Sequence, residues 1–377
     1  MYFSPKTSTD GLVFHYDTGN TVRSYLGEPT TNLVTNGNFS NGKTGWSFTG
    51  TANSATSVGT YQGKVALFAN GLRYYNETPG YFYQSISVTQ GVTYTVSFKY
   101  YLLSGTLIFD PDGAYNGGGG LTSTGQWVTY SATFVASSTS LTLNFYGDSG
   151  VYAYYYITDI QVEQKSHATP FVNGTRSVTQ GLKDLAGRST IDLSNVSFDS
   201  NAQMTFDGSD DHILTSENIA LNGSQTFEVI TTISGGPQSP AGIISNHDYA
   251  NTSNFGLNHI SGNRIGISIG YTDNSREYDS KYTTYTATVG TPFHLVMTFD
   301  QSSNTVKLYI NGVLDSTFVL TKTVKFTSRP VVLGRWDYQY NYYYFNGKIP
   351  VAKAYNRALS AADVTQNFNA VRGRYGI

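Results

Sequence analysis

The carboxylates and the six histidines of this 377-residue chain are the side chains that could carry out acid–base chemistry. Hydrolysis of a glycosidic bond needs two carboxyl groups roughly 5 to 9.5 Å apart. Sandwich-fold glucanases hold them on one strand face as E-x-D-x-x-E. The nearest approach here is Glu277-Tyr278-Asp279, with Tyr282 in the place of the last acid. This pair lies in a polar, loop-like stretch, which favours two solvated carboxylates over a catalytic pair.

The histidines show neither the spacing of a metal site nor a neighbouring nucleophile. For His294, which lies in a predicted strand, packing or hydrogen bonding is the expected role. We therefore predict that the chain is not an enzyme. The six positions are His15, His167, His212, His247, His259 and His294.

The tyrosines are better suited to binding. Sugar rings stack on aromatic faces, and sugar hydroxyls pair with Asn, Asp and Gln. Alternate tyrosines along a strand often belong to a core instead, and tyrosine is enriched at protein–protein interfaces. Residues 338–344 are too dense in aromatics to be all core, because a strand buries only every second residue. The residues predicted to contact glycan or another subunit are Tyr74, Tyr75, Tyr81, Tyr83, Tyr338, Tyr340, Tyr342 and Tyr344.

Three acids lie close together in the sequence FDGSDDHI, which spans residues 206–213. Oxygen ligands grouped in this way suit calcium, so Asp207, Asp210 and Asp211 are candidate metal ligands. The alternative is a tight turn in which the carboxylates accept backbone hydrogen bonds. Neither interpretation requires a cofactor. Calcium is the ion that these residues could bind.

The segment 293–318 indicates how strands would position such residues. Apolar side chains alternate along 293–299 and again along 305–310, and Asn311-Gly312 suits a tight turn with positive φ. This period of two predicts an antiparallel meander with one buried face, which needs a second sheet to cover it.

Short strands separated by Gly and Asn recur along the whole chain, which predicts an all-β fold of sandwiches. One short helix is expected near the C-terminus, lying against the edge of a sandwich. Ser360 would be its N-cap, Asp363 would occupy the third helical position, and Gly373 would end it.

The composition excludes several classes of protein. Charged residues make up 13% of the chain, about half of the roughly 25% that is usual. The net charge is −2 without any basic block, so nucleic acid is not an expected partner. The absence of cysteine excludes disulfides and thiolate chemistry. No apolar run approaches ~18 residues and residues 1–10 lack a signal-peptide core, so neither membrane insertion nor ordinary secretion is expected.

The second half of the chain resembles the laminin-G-like (concanavalin A-like) jelly rolls. The resemblance rests on motifs in the family's order between residues 206 and 364, namely FDGSDDHI, VKLYINGVL, VVLGR, FNGKI and AYNRALSAADV. Pro350-Val351 departs from the family, in which an acid often follows the FNGKI-like strand. The resemblance implies a lectin-like sandwich.

Residues 32–164 resemble the jelly-roll carbohydrate-binding modules of glycan-degrading enzymes. NLVTNGNFSNGKTGW is similar to their opening strand, and ITDIQVEQ is similar to their closing strand. Such modules often hold a structural calcium between an acid in each motif. Ser40 stands where the first acid is expected, so Asp159 alone remains as a candidate metal ligand.

The order of the motifs predicts an insertion. In laminin-G-like proteins a segment like GLVFHYDTGNTVRSY is followed within a few residues by one like KDLAGRSTIDLSN, whereas here these are residues 11–25 and 183–195. We therefore expect residues 1–29 and 167–377 to form one sandwich, interrupted by a module of residues 30–166. The alternative is an N-terminal arm that pairs elsewhere. The expected fold class is all-β, with two antiparallel jelly-roll β-sandwiches, one inserted in the other, and one short C-terminal helix.

Two further segments, IQVEQKSHATPFVNGTRS and YNRALSAADVTQNFNAVRGRYGI, resemble segments common in virion proteins of tailed bacteriophages. The resemblance implies a non-enzymatic structural protein on the virion surface, as a capsid decoration or head fibre, with weak adhesion to bacterial surface glycans. Such a protein would be made in the host cytoplasm, released by lysis, bound to other capsid or tail proteins, and homo-oligomeric. The alternatives are a tail-fibre or baseplate receptor-binding adhesin and, less favoured, a polysaccharide-degrading enzyme.

Overall fold

The computed structural model describes residues 6–49, 56–71, 81–111, 120–122, 125–148, 152–216, 219, 221–236, 240–337 and 343–377. The chain divides into two compact units. Unit 1 consists of Met1–Glu28, Val178–Asp199 and Gln203–Ile377, and unit 2 consists of Pro29–Ser177 and Ser200–Ala202. Each unit is a β-sandwich, so the predicted fold class of two sandwiches is confirmed.

The strands of the described residues, numbered in chain order, are β1 (Leu12–Asp17), β2 (Thr30–Thr31), β3 (Ser47–Phe48), β4 (Ser57–Tyr61), β5 (Lys64–Gly71), β6 (Phe82–Ser87), β7 (Thr93–Ser104), β8 (Leu107–Pro111), β9 (Trp127–Val135), β10 (Ser140–Gly147), β11 (Ala153–Glu163), β12 (Thr175–Arg176), β13 (Ser197–Phe198), β14 (Met204–Asp207), β15 (Ile213–Leu214), β16 (Gln225–Ile233), β17 (Ala241–Ser245), β18 (Phe255–Ile260), β19 (Arg264–Gly270), β20 (Arg276–Tyr282), β21 (Phe293–Asp300), β22 (Thr305–Ile310), β23 (Val313–Val319), β24 (Val332–Leu333) and β25 (Asn346–Tyr355).

Unit 1 packs an eight-stranded sheet against a six-stranded sheet. The eight-stranded sheet has the order β13-β14-β25-β16-β21-β22-β23, and β1 also pairs with β25. The six-stranded sheet has the order β15-β24-β17-β18-β19-β20. The core between them takes alternate side chains of each strand, for example Leu295, Met297 and Phe299. The meander predicted at 293–318 is β21, β22 and β23.

The first strand of the chain lies beside the last. β1 pairs antiparallel with β25, with Phe14 opposite Ala354 and Tyr16 opposite Ala352. Both aromatic side chains are fully buried in the core of unit 1. The eight-stranded sheet therefore joins the first and last strands of unit 1.

The helix α1 (Ala361–Tyr375) follows β25. Ser360 accepts a hydrogen bond from the Asp363 amide and Asp363 caps the Ser360 amide in return, which is the capping box expected from the sequence. The prediction that Gly373 ends the helix is wrong, because Gly376 takes the left-handed conformation (φ 68°) that terminates it. Among the described residues no helix is long and apolar enough to cross a membrane.

The position predicted for this helix is also wrong. It covers the outer face of the eight-stranded sheet and not its edge. The ring of Phe368 stacks on His294 with 5.6 Å between centroids, and Val371 packs with Ile230 and Val351. The sheet therefore has two buried faces at its centre.

Unit 2 packs a five-stranded sheet of order β4-β5-β11-β7-β9 against a four-stranded sheet of order β3-β6-β10-β8. The core is aromatic. The ring of Phe82 stacks on Phe145 at 4.9 Å and meets Trp46 edge-on at 5.3 Å. A short sheet of β2 and β12 pairs Thr30 with Arg176, which extends unit 2 to Ser177, beyond the boundary at 166 expected from the sequence.

Candidate functional site

Five aromatic side chains lie together on the outer face of the five-stranded sheet of unit 2. All five are half-buried, so each presents part of its ring to solvent. We call them the aromatic row, and they are Tyr61, Phe68, Tyr101, Trp127 and Tyr156.

Strand register produces this row. Tyr156 of β11 lies opposite Phe68 of β5 on one side and opposite Tyr101 of β7 on the other. Tyr101 in turn lies opposite Trp127 of β9. Four neighbouring strands thus place an aromatic side chain at one level of the same face. With strands spaced by about 4.8 Å, the row extends over roughly 14 Å.

The rings contact one another closely. Tyr61 stacks on Tyr156, with centroids 3.8 Å apart and planes 7° apart, and meets Tyr101 edge-on at 5.0 Å. Phe68 lies 5.1 Å from Tyr156, and Trp127 lies 5.8 Å from Tyr101. Mutual packing restricts the rotamers of these side chains, so a ligand would meet a surface that is already ordered.

The rest of this face is closed by the chain's own segment 165–172. The Thr95 hydroxyl donates to the Lys165 carbonyl at 2.9 Å, and the Gln161 carboxamide accepts from the Val172 amide at 2.9 Å. The Thr169 amide donates to Glu163 at 2.8 Å. Several polar groups of this face are therefore bonded within the protein, and the aromatic half remains accessible.

Charged side chains border the aromatic row. Lys99 donates to Asp159 Oδ2 at 2.8 Å, and Lys64 lies 4.0 Å from the same oxygen. Asp159 is the residue that the sequence suggested as a calcium ligand. In the structure this carboxylate lies between two lysines, which supply the positive charge that a cation would otherwise provide. Its role in metal binding stays a prediction.

Two tyrosines predicted from the sequence lie on the other sheet of unit 2. Tyr81 and Tyr83 are half-buried, with ring centroids 5.6 Å apart, at the start of β6. Near them, the Tyr146 hydroxyl donates to Asp110 Oδ2 at 2.8 Å. This pair is smaller than the aromatic row and lies on a separate face, so it forms a second, independent candidate surface.

The remaining predicted tyrosines divide into two groups. Tyr344 is buried (7% exposed), and its ring centroid lies 6.2 Å from that of His212, which leaves little of the ring for a ligand. The others lie outside the described residues, and they are Tyr74, Tyr75, Tyr338, Tyr340 and Tyr342.

The acidic turn after β14 is held by hydrogen bonds. Asp207, Asp210 and Asp211 each offer an oxygen within 4.8 Å of the others. Asp211 Oδ1 accepts from the amide and the hydroxyl of Ser197, and its Oδ2 accepts from the Asp207 amide at 2.7 Å. Burial raises the pKa of Asp211. The most buried of the three acids thus already bonds to backbone and hydroxyl donors, and calcium at this turn stays a prediction.

The acid pair considered for catalysis lies on the edge strand β20, whose pairing with β19 is irregular near Asp279 (φ 53°). The expectation of a loop-like stretch is wrong, because Glu277 and Asp279 belong to β20. Glu277 accepts from the Tyr271 hydroxyl at 2.9 Å and pairs with Lys281. Burial raises the pKa of Asp279 to about 6, partly offset by a hydrogen bond from Asn258. This strand is polar and shows no apolar alternation in the sequence, which an edge strand does not require.

The sequence offered only part of the signal for the aromatic row. Tyr101 and Tyr156 stand in alternating strand segments, but which residues share a level across four strands depends on pairing between distant parts of the chain. A register shift between Thr158 and Gln161 of β11 makes this pairing harder to predict from the sequence. The row could be predicted only if the pairing of β11 with both β5 and β7 were known.

The two sandwiches define an all-β class of protein. Residues 207–365 match the family model described as the concanavalin A-like lectin/glucanases superfamily, and residues 31–153 match the one described as a carbohydrate binding domain. The chain therefore contains a concanavalin A-like domain and a carbohydrate-binding-module domain, which confirms both resemblances drawn from the sequence.

Comparison with solved structures gives matches that include the following three. The botulinum neurotoxin type G receptor binding domain is 21% identical, with 51% of this chain and 49% of that one covered and a TM-score of 0.39. The binding domain of Paraclostridial mosquitocidal protein 1 is 15% identical, with coverage of 50% and 49% and a TM-score of 0.41. The Ruminococcus gnavus IT-sialidase CBM40 bound to alpha2,3 sialyllactose is 17% identical, with coverage of 38% and 82% and a TM-score of 0.32. The chain spans about half the length of the first two structures. No curated protein matches the sequence.

Proposed function

We propose that this chain is a non-enzymatic glycan-binding protein and that polysaccharide binds along the aromatic row of unit 2. The observation that carries the proposal is the row itself, in which four neighbouring strands of a carbohydrate-binding-module domain present half-exposed aromatic rings at one level. Sugar rings pack their C–H faces against such rings. The adjoining polar groups of Lys64, Lys99 and Asp159 can pair with sugar hydroxyls.

The shape of the surface favours a chain over a single sugar. The row extends for roughly 14 Å across the strands, with neighbouring rings tilted or edge-on to one another, and this length suits several consecutive sugar rings. Binding of this kind gains from repeated modest contacts and from copies of the protein acting together, so weak adhesion by one copy is sufficient.

We expect purified protein to bind saturably to members of an array of bacterial surface polysaccharides. Tyr156→Ala should weaken this binding by about thirtyfold, because truncating a central aromatic anchor typically costs about 2 kcal/mol. Binding curves for wild type and variant on the same polysaccharide provide the measurement. Repeating them with a chelator tests whether calcium contributes.

Tyr83→Ala tests the second candidate surface, since it removes a half-buried tyrosine from the opposite sheet of the same unit. Unchanged binding by Tyr83→Ala beside a loss in Tyr156→Ala supports the aromatic row. The reverse pattern would transfer the site to the four-stranded sheet and contradict the proposed location. If the wild type bound no polysaccharide on the array, glycan binding would be refuted.

We further propose that the protein is displayed on the surface of a tailed-phage particle as a capsid decoration or head fibre. The support is the resemblance of residues 160–177 and 355–377 to segments of virion proteins. Under this proposal the chain is made in the host cytoplasm, assembles with other virion proteins as a homo-oligomer, and leaves the cell by lysis.

Immunogold labelling of purified particles with antibodies to this chain tests the placement. Label distributed over the capsid is the expected result. Label confined to the tail would favour the alternative, a tail-fibre or baseplate receptor-binding adhesin. Particles without label, whose proteins by mass spectrometry also lack this chain, would exclude both forms of the proposal.

A further inference from the structure

A second aromatic cluster lies in unit 1, on the face of the six-stranded sheet that points away from the core. Its centre is Trp336, which is 3% exposed and donates its indole N–H to the Ser268 hydroxyl at 2.9 Å. The rings of Tyr249 and Tyr278 lie 5.5 and 5.3 Å from that of Trp336. His247 lies 5.2 Å away on another side. Buried contacts thus fix the base of this cluster.

The loop that carries Tyr249 is held tightly against the sheet. A Cβ at Gly270 would lie 2.2 Å from the Thr252 carbonyl oxygen, so only glycine allows this approach. The Tyr249 amide also donates to Asp337 Oδ2 at 2.6 Å. Tyr249 is therefore placed by the backbone as well as by its ring.

Arg276 of β20 lies on this aromatic base. Its guanidinium carbon is 4.0 Å from the ring centroid of Tyr249, which is a cation–π contact. Its Nη1 donates to the Tyr278 hydroxyl at 2.8 Å and to the Tyr249 carbonyl at 3.3 Å. These bonds use one nitrogen of the three and orient the plane of the guanidinium.

The other side of the guanidinium has no partner within the described residues. Neither Nε nor Nη2 of Arg276 donates a hydrogen bond to them, and no carboxylate among them lies within 4.0 Å. Nε–H and Nη2–H point in parallel and form the fork that a carboxylate accepts with two bonds. The ring of Tyr278, 36% exposed, lies beside this fork.

We propose that Arg276 and Tyr278 form a binding site for a carboxylate-bearing sugar of an acidic polysaccharide. The Nε–Nη2 edge of Arg276, which has no partner among the described residues, takes the carboxylate, and Tyr278 borders the sugar. A single guanidinium with one open edge matches one carboxylate, whereas phosphate is usually recognised by clusters of arginines. The inference does not rest on the aromatic row, because that row belongs to unit 2.

Calorimetric titration with oligogalacturonate and with oligomannuronate tests the site, and the same oligomers with their carboxyl groups reduced to alcohols are the neutral probes. We expect the acidic oligomers to bind more tightly than the reduced ones, and the difference to shrink as salt is added. Arg276→Gln should weaken binding of the acidic oligomers by about tenfold or more, since a charge-assisted bidentate contact is lost. Arg276→Lys should have an affinity between those of wild type and Arg276→Gln, because it keeps the charge without the fork.

Arg188→Gln is the matched control, because Arg188 is an exposed arginine of the same unit and its loss changes net charge equally. Thermal melts check that each variant is folded. Equal affinity for acidic and reduced oligomers, equal effects of Arg276→Gln and Arg188→Gln, or no binding of either acidic oligomer would each overturn the proposal. Tyr156→Ala separates the two sites, since it should leave the difference between acidic and reduced oligomers unchanged.

Discussion

Replacing Lys353 with Met should lower the free energy of unfolding by about 3–5 kcal/mol, because it leaves the carboxylate of Glu228 buried without its counter-ion. Lys353 Nζ lies 2.7 Å from Glu228 Oε1, and both side chains are 1% exposed. Denaturant titration at neutral pH provides the measurement. Methionine has similar length and fits the same space, so the loss reports the charge more than the packing.

Two other side chains also contact Glu228, between the sheet and α1. His294 Nε2 lies 3.2 Å from Glu228 Oε1, and the Asn367 amide donates to Glu228 Oε2 at 2.6 Å. His294 thus makes a hydrogen-bonding contact of the kind expected from the sequence. Asn367 also accepts from the Ser8 amide at 2.7 Å, which joins the N-terminal segment to the helix.

The cost of Lys353→Met should depend on pH. Burial pushes the pKa of Glu228 up, but the charge of Lys353 and the hydrogen bonds from His294 and Lys353 outweigh it and hold the pKa well below its usual range. A depressed pKa contributes stability that is present above the unfolded-state pKa and is lost as pH falls through the folded one. The variant should therefore be most penalised at neutral pH and approach wild type in acid, where Glu228 becomes neutral.

Glu228→Gln combined with Lys353→Met is the control for the network. Removing both charges should recover a large part of the stability that Lys353→Met alone loses, because no unpaired ion remains in the core. A double variant as unstable as the sum of the two single ones would contradict the explanation by charge pairing.

Phe82→Ala should destabilise unit 2 by about 3–5 kcal/mol, which is typical for removing a buried phenylalanine ring. Phe82 is 1% exposed and contacts Phe145, Trp46 and Phe48 at centroid distances of 4.9, 5.3 and 6.0 Å. Its loss would leave a cavity at the centre of the aromatic core. Hydrogen exchange of peptides from β6 and β10, followed against denaturant, measures the change within unit 2.

Val135→Ala provides the comparison, because Val135 lies in the same unit and is 61% exposed. We expect this change to remain within about 0.5 kcal/mol of wild type. Phe82→Leu should fall between the two, since it keeps part of the buried volume. An effect of Phe82→Ala no larger than that of Val135→Ala would mean that Phe82 is not central to the core.

Features that depend on a short stretch of chain could be predicted from the sequence. The meander β21 to β23 follows from alternating apolar residues joined by polar turns, and the capping box of α1 follows from Ser360 and Asp363. Both are local, so a window of ten or twenty residues contains the whole signal. The predicted helix end at Gly373 lies three residues before the observed one at Gly376, because both glycines suit a C-terminus.

The candidate sites depend on pairing between distant residues, which a single sequence does not display. Phe68, Tyr101 and Tyr156 meet because β11 lies between β5 and β7. Arg276 meets Tyr249 because a loop folds back onto the six-stranded sheet. The tyrosine-rich segment 338–344 stands out within one short stretch of sequence, whereas the aromatic row joins rings from strands that are far apart in the chain.

The position of β1 beside β25 affects how the molecule can be synthesised and folded. More than 300 residues separate these two strands, so β1 leaves the ribosome long before its partner exists. The strands of unit 2 all lie between these two and are available much earlier. Closing such a long loop is slow, and until then the apolar side chains of β1 and an open edge of the large sheet are exposed. The final pairing is therefore expected to be the slow step of maturation, and the stage at which the nascent chain is most prone to aggregate.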